Sequence, residues 1–269
     1  MKIVFDIGST KTRVAKVVGA DIGPIERMPT PQKPEEGIET LAALVAKVGG
    51  GEKVEAAVGA IPGTPNTDGS ILFLPHRPLW DGFPFSAQLS KSLSADVRVE
   101  HDANLGALGE ALYGAGKGVH SLAYLAVGTG LGVARVVEGA IVSPVTGFEA
   151  GHQIVDISRG IGVDETVGGD GILKKYAVRA EELPRETYDE LTKIFAVGIY
   201  NTILHWLPDV VVLGGSLMNE ENGYRLADIT AAIRSLPPLI AKFPDIRRGT
   251  LGDAANLHGA RALIEQPLV

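Results

Sequence analysis

The chain has no cysteine among its 269 residues. That excludes disulfides, thiolate nucleophiles and cysteine-based zinc sites together. It has no excess of positive charge: 25 Lys and Arg stand against 32 Asp and Glu, a formal net charge of −7. With that balance and no basic cluster, nucleic acid is not an expected partner. No apolar run reaches the roughly 20 residues that span a bilayer, so no membrane partner is expected. Met1-Lys2 leads directly into a strand-like segment holding Asp6 rather than into a signal-peptide pattern, which makes the cytoplasm the expected location. No linker or low-complexity tail interrupts the chain, and none of its glycine turns has the Gly-Lys-Ser/Thr helix opening of a Walker loop.

What is present is ordinary globular composition, 45% hydrophobic and 21% charged, in a chain long enough for two lobes. Two segments repeat. Lys2 to Ile7 reads as an apolar strand broken only by Asp6, Gly8-Ser9-Thr10-Lys11-Thr12 as a turn, Arg13 to Val18 as a returning strand, and Gly19-Ala20 as the next turn. Ala123 to Val127, Gly128-Thr129-Gly130-Leu131-Gly132, Val133 to Val137 and Gly139-Ala140 follow the same plan. One ungapped offset relates Gly8 to Gly128, Val17 to Val137 and Gly19 to Gly139, which points to two related α/β halves. Around them, Ile38, Leu41, Val45 and Val48 have helical spacing, 186–207 predicts a long amphipathic helix, and further helices are expected at 222–235 and 253–265. Ser143 to Gly171 reads as an irregular glycine-rich region.

Val97 and Val99 alternate with charged residues as in a strand, and Leu105, Leu108 and Leu112 then recur at helical spacing, with Asn104 as the expected N-cap. Asp102 therefore falls at the carboxyl end of a strand beside a helix N-terminus, where open α/β sheets bind ligands. An ionised Asp there can accept a proton from a substrate hydroxyl; it can also simply cap the helix. Three glycine turns follow apolar strands, at Gly8–Thr12, Gly128–Gly132 and Gly214-Gly215-Ser216. Small residues let backbone N–H groups approach an anion, so the set suggests a clamp on a polyphosphate, although hairpins need glycine in any case. Asp6, at the end of the first strand, is a candidate partner for Mg²⁺ through water, or a buried structural carboxylate.

The run Asp6 to Thr12, the central Glu100-His101-Asp102-Ala103-Asn104, the turn Gly128 to Gly132, the segment Glu149-Ala150-Gly151-His152, the late Gly214-Gly215-Ser216 and the closing Gly252 to Ala260 occur in the order seen in ROK-family sugar kinases, and the chain resembles that family over nearly its whole length. The resemblance implies an α/β fold of two duplicated ribonuclease-H-like, actin-like ATPase lobes around a cleft. The expected division is 1–108 for an N-terminal lobe, with the helix at 253–269 packing back on it, and 109–252 for a C-terminal lobe. It implies ATP-dependent phosphorylation of a hexose hydroxyl, glucose first, with ATP and Mg²⁺ as cofactors. Asp102 would be the catalytic base. His76, His101, Glu149 and His152 would contact the sugar, with the loop at His76 closing over it. Gly8, Ser9, Thr10, Lys11, Thr12, Gly128, Thr129, Gly130 and Gly132 would hold the phosphates, and Gly214 and Gly215 would pack against the adenosine. Such relatives are often dimers, so a homodimer is an open expectation.

Two departures matter. Where the family has its cysteine zinc motif, residues 156–166 carry no cysteine, so no zinc is expected and His152 is left as a sugar contact or a capping histidine. Glu165 becomes the best candidate for the sugar-binding Glu of that segment, a surface role being the alternative. His76 and His101 stand where the family tends to have Asn, which replaces an amide by a titratable imidazole. Inorganic polyphosphate as donor and a non-catalytic sugar-binding regulator are the competing functional readings.

Overall fold

A computed structural model describes residues 1–61, 63–73, 78–142 and 147–265. In chain order the strands and helices are β1 (Lys2–Ile7), β2 (Lys11–Val18), β3 (Asp21–Ile22), β4 (Glu26–Pro29), α1 (Pro34–Gly49), β5 (Ala56–Ile61), β6 (Thr64–Pro65), β7 (Ile71–Phe73), α2 (Phe85–Leu93), β8 (Asp96–His101), α3 (Asp102–Tyr113), β9 (Ser121–Val127), β10 (Leu131–Val137) and β11 (Ala140–Ile141). They continue with β12 (Ile154–Asp156), β13 (Ile161–Gly162), α4 (Val163–Val167), α5 (Gly169–Tyr176), α6 (Arg185–Trp206), β14 (Val210–Gly214), α7 (Leu226–Arg234), β15 (Asp245–Arg248) and α8 (Ala255–Glu265).

Two sheets share one topology. The first runs β3-β2-β1-β5-β8 with β4 also on β2, and the second runs β11-β10-β9-β14-β15. In each, an antiparallel hairpin continues into parallel neighbours: β5 on β1 and β8 on β5, β14 on β9 and β15 on β14. The parallel strands are short apolar runs, such as the fully buried Val210 to Leu213, as sheets covered on both faces require. The internal duplication is thus a duplication of topology. Its register is not identical, because Ile7 pairs with Thr12 while Val127 pairs with Leu131. The first hairpin therefore turns through residues 8–11 and the second through 128–130.

Helix α3 is where the two halves meet. Its alanine face, Ala103, Ala107 and Ala111, packs with Leu122, Tyr124, Ala134 and Val212 of the second sheet. Its leucine face, Leu105 and Leu108, packs with Val4, Ala15 and Val58 of the first sheet and with Leu257, Ala260 and Leu263 of α8. Helix α8 crosses it closely: a Cβ on Gly259 would lie 1.9 Å from the Leu105 carbonyl oxygen. The position 108/109 falls inside this continuous helix.

Three local expectations need correcting. Asn104 is not an N-cap: β8 passes into α3 without a loop, so the helix begins at Asp102 and the buried Asn104 amide instead donates to Glu100. The helix expected at 222–235 spans only Leu226–Arg234. Within 143–171, the described residues hold the β12–β13 hairpin, α4 and the start of α5 rather than irregular chain.

Candidate active site

Asp102 is fixed by the strand-to-helix junction. Beneath it, the buried Glu100 accepts the His101 N–H and the Asn104 amide, both at 2.9 Å. Asp102 Oδ1 accepts the Ala103 N–H at 2.7 Å, and the side chain keeps 40% of its surface exposed. Across from it, β10 begins at close range. A Cβ on Gly132 would lie 3.0 Å from that of Ala103 and 4.0 Å from Asp102 Oδ1, so only a residue without a side chain lets the second lobe approach this closely.

These residues face a cavity of about 510 Å³. Of the residues singled out in the sequence, Ser9, His101, Asp102, Gly128, Thr129, Gly130, Gly132, Glu149, His152, Glu165 and Gly215 line it. Glu149 Oε1 accepts the Thr64 hydroxyl at 3.2 Å, and its Oε2 lies 3.6 Å from His152 Nε2. Glu165 Oε2 accepts the Gly162 N–H at 3.2 Å, which caps α4 and aims this carboxylate at the cavity wall. The second turn is braced from behind: Gly169 N–H donates to Gly128 O at 2.8 Å, Asp170 N–H to Thr129 O at 3.0 Å, and Leu131 N–H to the Asp164 carboxylate. His76 lies outside the described residues.

The first turn contributes less. Gly8, Thr10, Lys11 and Thr12 do not line this cavity. Thr12 is buried and bonds to the Thr30 hydroxyl at 3.0 Å, while Thr30 donates to the Gly8 carbonyl at 2.8 Å. Asp6 is buried and committed on both oxygens, accepting Arg13 Nη1 at 2.7 Å and Asn256 Nδ2 at 3.0 Å. Burial raises its carboxyl above the ordinary value; the Asn256 bond and the Arg13 charge pull the other way, and the Asp102 charge adds to the rise. Among the described residues no group of three or more His, Asp or Glu side chains could hold a metal ion. Asp6 is therefore suited to a metal only through water.

A second cavity of about 300 Å³ adjoins the first, sharing Tyr124 and Gly215 and adding Gly214, Glu110, Arg248 and Thr250. Glu110 is buried but fully served, accepting the N–H groups of Ala115, Thr250 and Leu251 at 2.8, 3.1 and 2.9 Å. Burial, then the charges of Glu110, Asp102 and Asp6, push the Tyr124 phenol well above its usual value, so it stays protonated and can only donate where those carboxylates stand.

The sequence reading missed Tyr124, Asp164, Asn256, Glu110 and Thr64. A signal existed for two of them: Asn256 lies in the closing Gly252–Ala260 segment, and Asp164 immediately precedes Glu165. Nothing local marks the other three.

The family model described as the ROK family matches residues 2–267. The chain is 30% identical to an N-acetyl-D-glucosamine kinase of Pectobacterium carotovorum, over 96% of this chain and 97% of that protein. Among solved structures it is similar to a ROK hexokinase from Thermus thermophilus, at 26% identity and a TM-score of 0.79 over 96% of this chain and 95% of that one. It is also similar to a ROK glucokinase from Streptomyces griseus solved with glucose and AMPPNP, at 22% identity and a TM-score of 0.82 over 97% and 98%. The second likeness bears on the fold alone. With the paired sheet topology it bears out the expected α/β fold of two duplicated actin-like lobes.

Proposed function

This chain belongs to the ROK family, and from that premise we propose that it is a sugar kinase transferring a phosphoryl group from ATP to a hexose hydroxyl. The observation that carries the reading is the single cavity shared by the Asp102 carboxylate, the 128–132 turn and the polar set Glu149, His152 and Glu165. A half-exposed carboxylate at a helix N-terminus, one oxygen tied to Ala103 N–H, has its other oxygen available to a hydroxyl. Glu149, His152 and Glu165 supply acceptors and a donor that would orient a polyhydroxylated ring. The small residues of the turn admit phosphate oxygens to backbone N–H groups, and the adjoining cavity at Gly214-Gly215 accommodates the nucleoside end.

In the reaction the sugar hydroxyl oxygen bonds to the γ-phosphorus, the bond from that phosphorus to the β–γ bridging oxygen breaks, and the hydroxyl proton passes to Asp102, leaving sugar phosphate and ADP. Most of the catalysis is positioning and charge neutralisation. Mg²⁺ arriving on the phosphates would supply neutralising charge, with Asp6 reaching it only through water because Arg13 and Asn256 hold its oxygens. Glucose and N-acetylglucosamine are the first acceptors to try, since relatives are named for both.

The test is coupled ADP release with MgATP across glucose, N-acetylglucosamine, N-acetylmannosamine, mannose, fructose and allose, with inorganic polyphosphate as a second donor read by sugar phosphate formation. Sugar-dependent turnover with MgATP is the expected result. Turnover with polyphosphate alone would replace the donor, and silence with both donors across the panel would overturn the kinase reading in favour of a sugar-binding regulator.

A further inference from the structure

His101 ends β8 and lines the cavity beside Asp102. Its side chain keeps only 8% of its surface exposed, and the ring lies against the backbone of Gly147, where an added Cβ would sit 3.2 Å from the imidazole Cγ. Its Nδ1 is buried and makes no hydrogen bond among the described residues; the ion-pair geometry instead puts it 3.5 Å from Asp102 Oδ1. That is too long for a good bond, but catalytic hydrogen bonds are often slack in the empty site and tighten when substrate is bound. Oδ1 is also the oxygen that already accepts the Ala103 N–H. One carboxylate oxygen thus has two nitrogens beside it, the Ala103 N–H and His101 Nδ1.

We propose that His101 is a positioning residue for Asp102: its Nδ1–H donates to Oδ1 in the sugar complex and locks the carboxylate with Oδ2 facing the acceptor hydroxyl. This rests on the kinase reading and departs from the simpler expectation that His101 only contacts the sugar. It also ties the rate to the charge of the imidazole. The titratable groups around the ring are Glu100 on its own strand, Asp102 on α3, and Glu149 and His152 across the cavity; Asp6 acts on Asp102 by charge. An imidazolium beside Asp102 would favour the ionised carboxylate and so weaken it as a base.

Geometry makes the proposal separable by isosteres. Asn carries its amide nitrogen about where Nδ1 stands, whereas Gln carries it about where Nε2 stands. His101→Leu, His101→Asn and His101→Gln are compared with the wild type in kcat, in sugar Kd by calorimetry without nucleotide, in the pH dependence of kcat and in thermal unfolding. The proposal expects kcat to fall roughly tenfold or more in His101→Leu and His101→Gln, the loss of one hydrogen bond to a charged group, with sugar Kd within about twofold. His101→Asn restores kcat at neutral pH and changes the pH dependence of kcat relative to the wild type. The proposal is overturned if Gln rescues and Asn does not, or if the whole effect lies in sugar Kd. A wild type without sugar-dependent turnover would instead remove the kinase reading itself, so the two failures are distinct.

Discussion

The two glycine turns descend from one pattern and have been put to different uses. In the first hairpin the strand end carries the buried Asp6 and the return strand the part-buried Arg13, and these form an ion pair beneath a turn whose floor is stitched by Thr12 and Thr30. One offset of 120 residues sets Ala126 and Val133 at the same places in the second hairpin. There the turn is one residue shorter, carries no charge of its own, lines the cavity throughout, and is braced by backbone N–H groups of α5 and by the Asp164 carboxylate of α4. The first turn thus has an ion pair in its floor, and the second presents uncharged backbone with a single carboxylate, Asp164, tied to its Leu131 N–H. Divided this way, a phosphate would meet glycine backbone on one side without facing Asp6, whose oxygens are already occupied.

The largest effect follows from breaking the charged side. Arg13→Met leaves Asp6 buried without its cation, and loss of one partner of a buried pair costs about 3 kcal/mol. Denaturant unfolding at pH 7 should show it, and the deficit should shrink on acidification as Asp6, whose carboxyl is raised by burial, takes up a proton. A deficit independent of pH would mean that Asp6 does not carry the uncompensated charge.

The uncharged side is tested by Gly168→Ala. An added Cβ would lie 3.0 Å from both Gly130 Cα and the Thr129 carbonyl oxygen and 2.8 Å from the Asp164 carbonyl oxygen, so the turn must shift. Overpacking of this kind costs about 1–3 kcal/mol. Steady-state kinetics should show a higher KM for the phosphoryl donor and an unchanged KM for sugar. The reverse pattern would separate the 128–130 turn from the donor.

The smallest effect sharpens the contrast through pH. A carboxyl with a raised value binds its proton more tightly folded than unfolded, so its contribution to stability improves as pH falls from that raised value toward the unfolded value near ~3.9. Asp6→Asn should remove this term and steepen the loss of stability on acidification relative to wild type. Parallel acid limbs for the two proteins would place the Asp6 proton affinity at its ordinary value.

The duplicated hairpins and the strand-end position of Asp102 were legible because both are written in local alternation and spacing. The one-residue difference between the turns was not, since an ungapped offset matches residue types and is blind to which pairs share hydrogen bonds. Asn104 looked like a cap because Ser, Asn and Asp before an apolar period usually are; Glu100 beneath it takes its amide instead, and β8 runs on into α3. Tyr124, Glu110 and Thr64 reach the cavities through tertiary packing from three separate elements, which leaves no mark at short range. Residues 163–167 are too few for a helical period to stand out, and Asp164 and Glu165 both act from that short helix.

The central claim, that Asp102 is the base acting on a sugar hydroxyl, is tested most directly by Asp102→Asn assayed for sugar-dependent ADP release beside calorimetric sugar binding. The account predicts a fall in kcat of about 10²–10⁴-fold with sugar affinity retained. Turnover within tenfold of wild type, with sugar still bound, would contradict it.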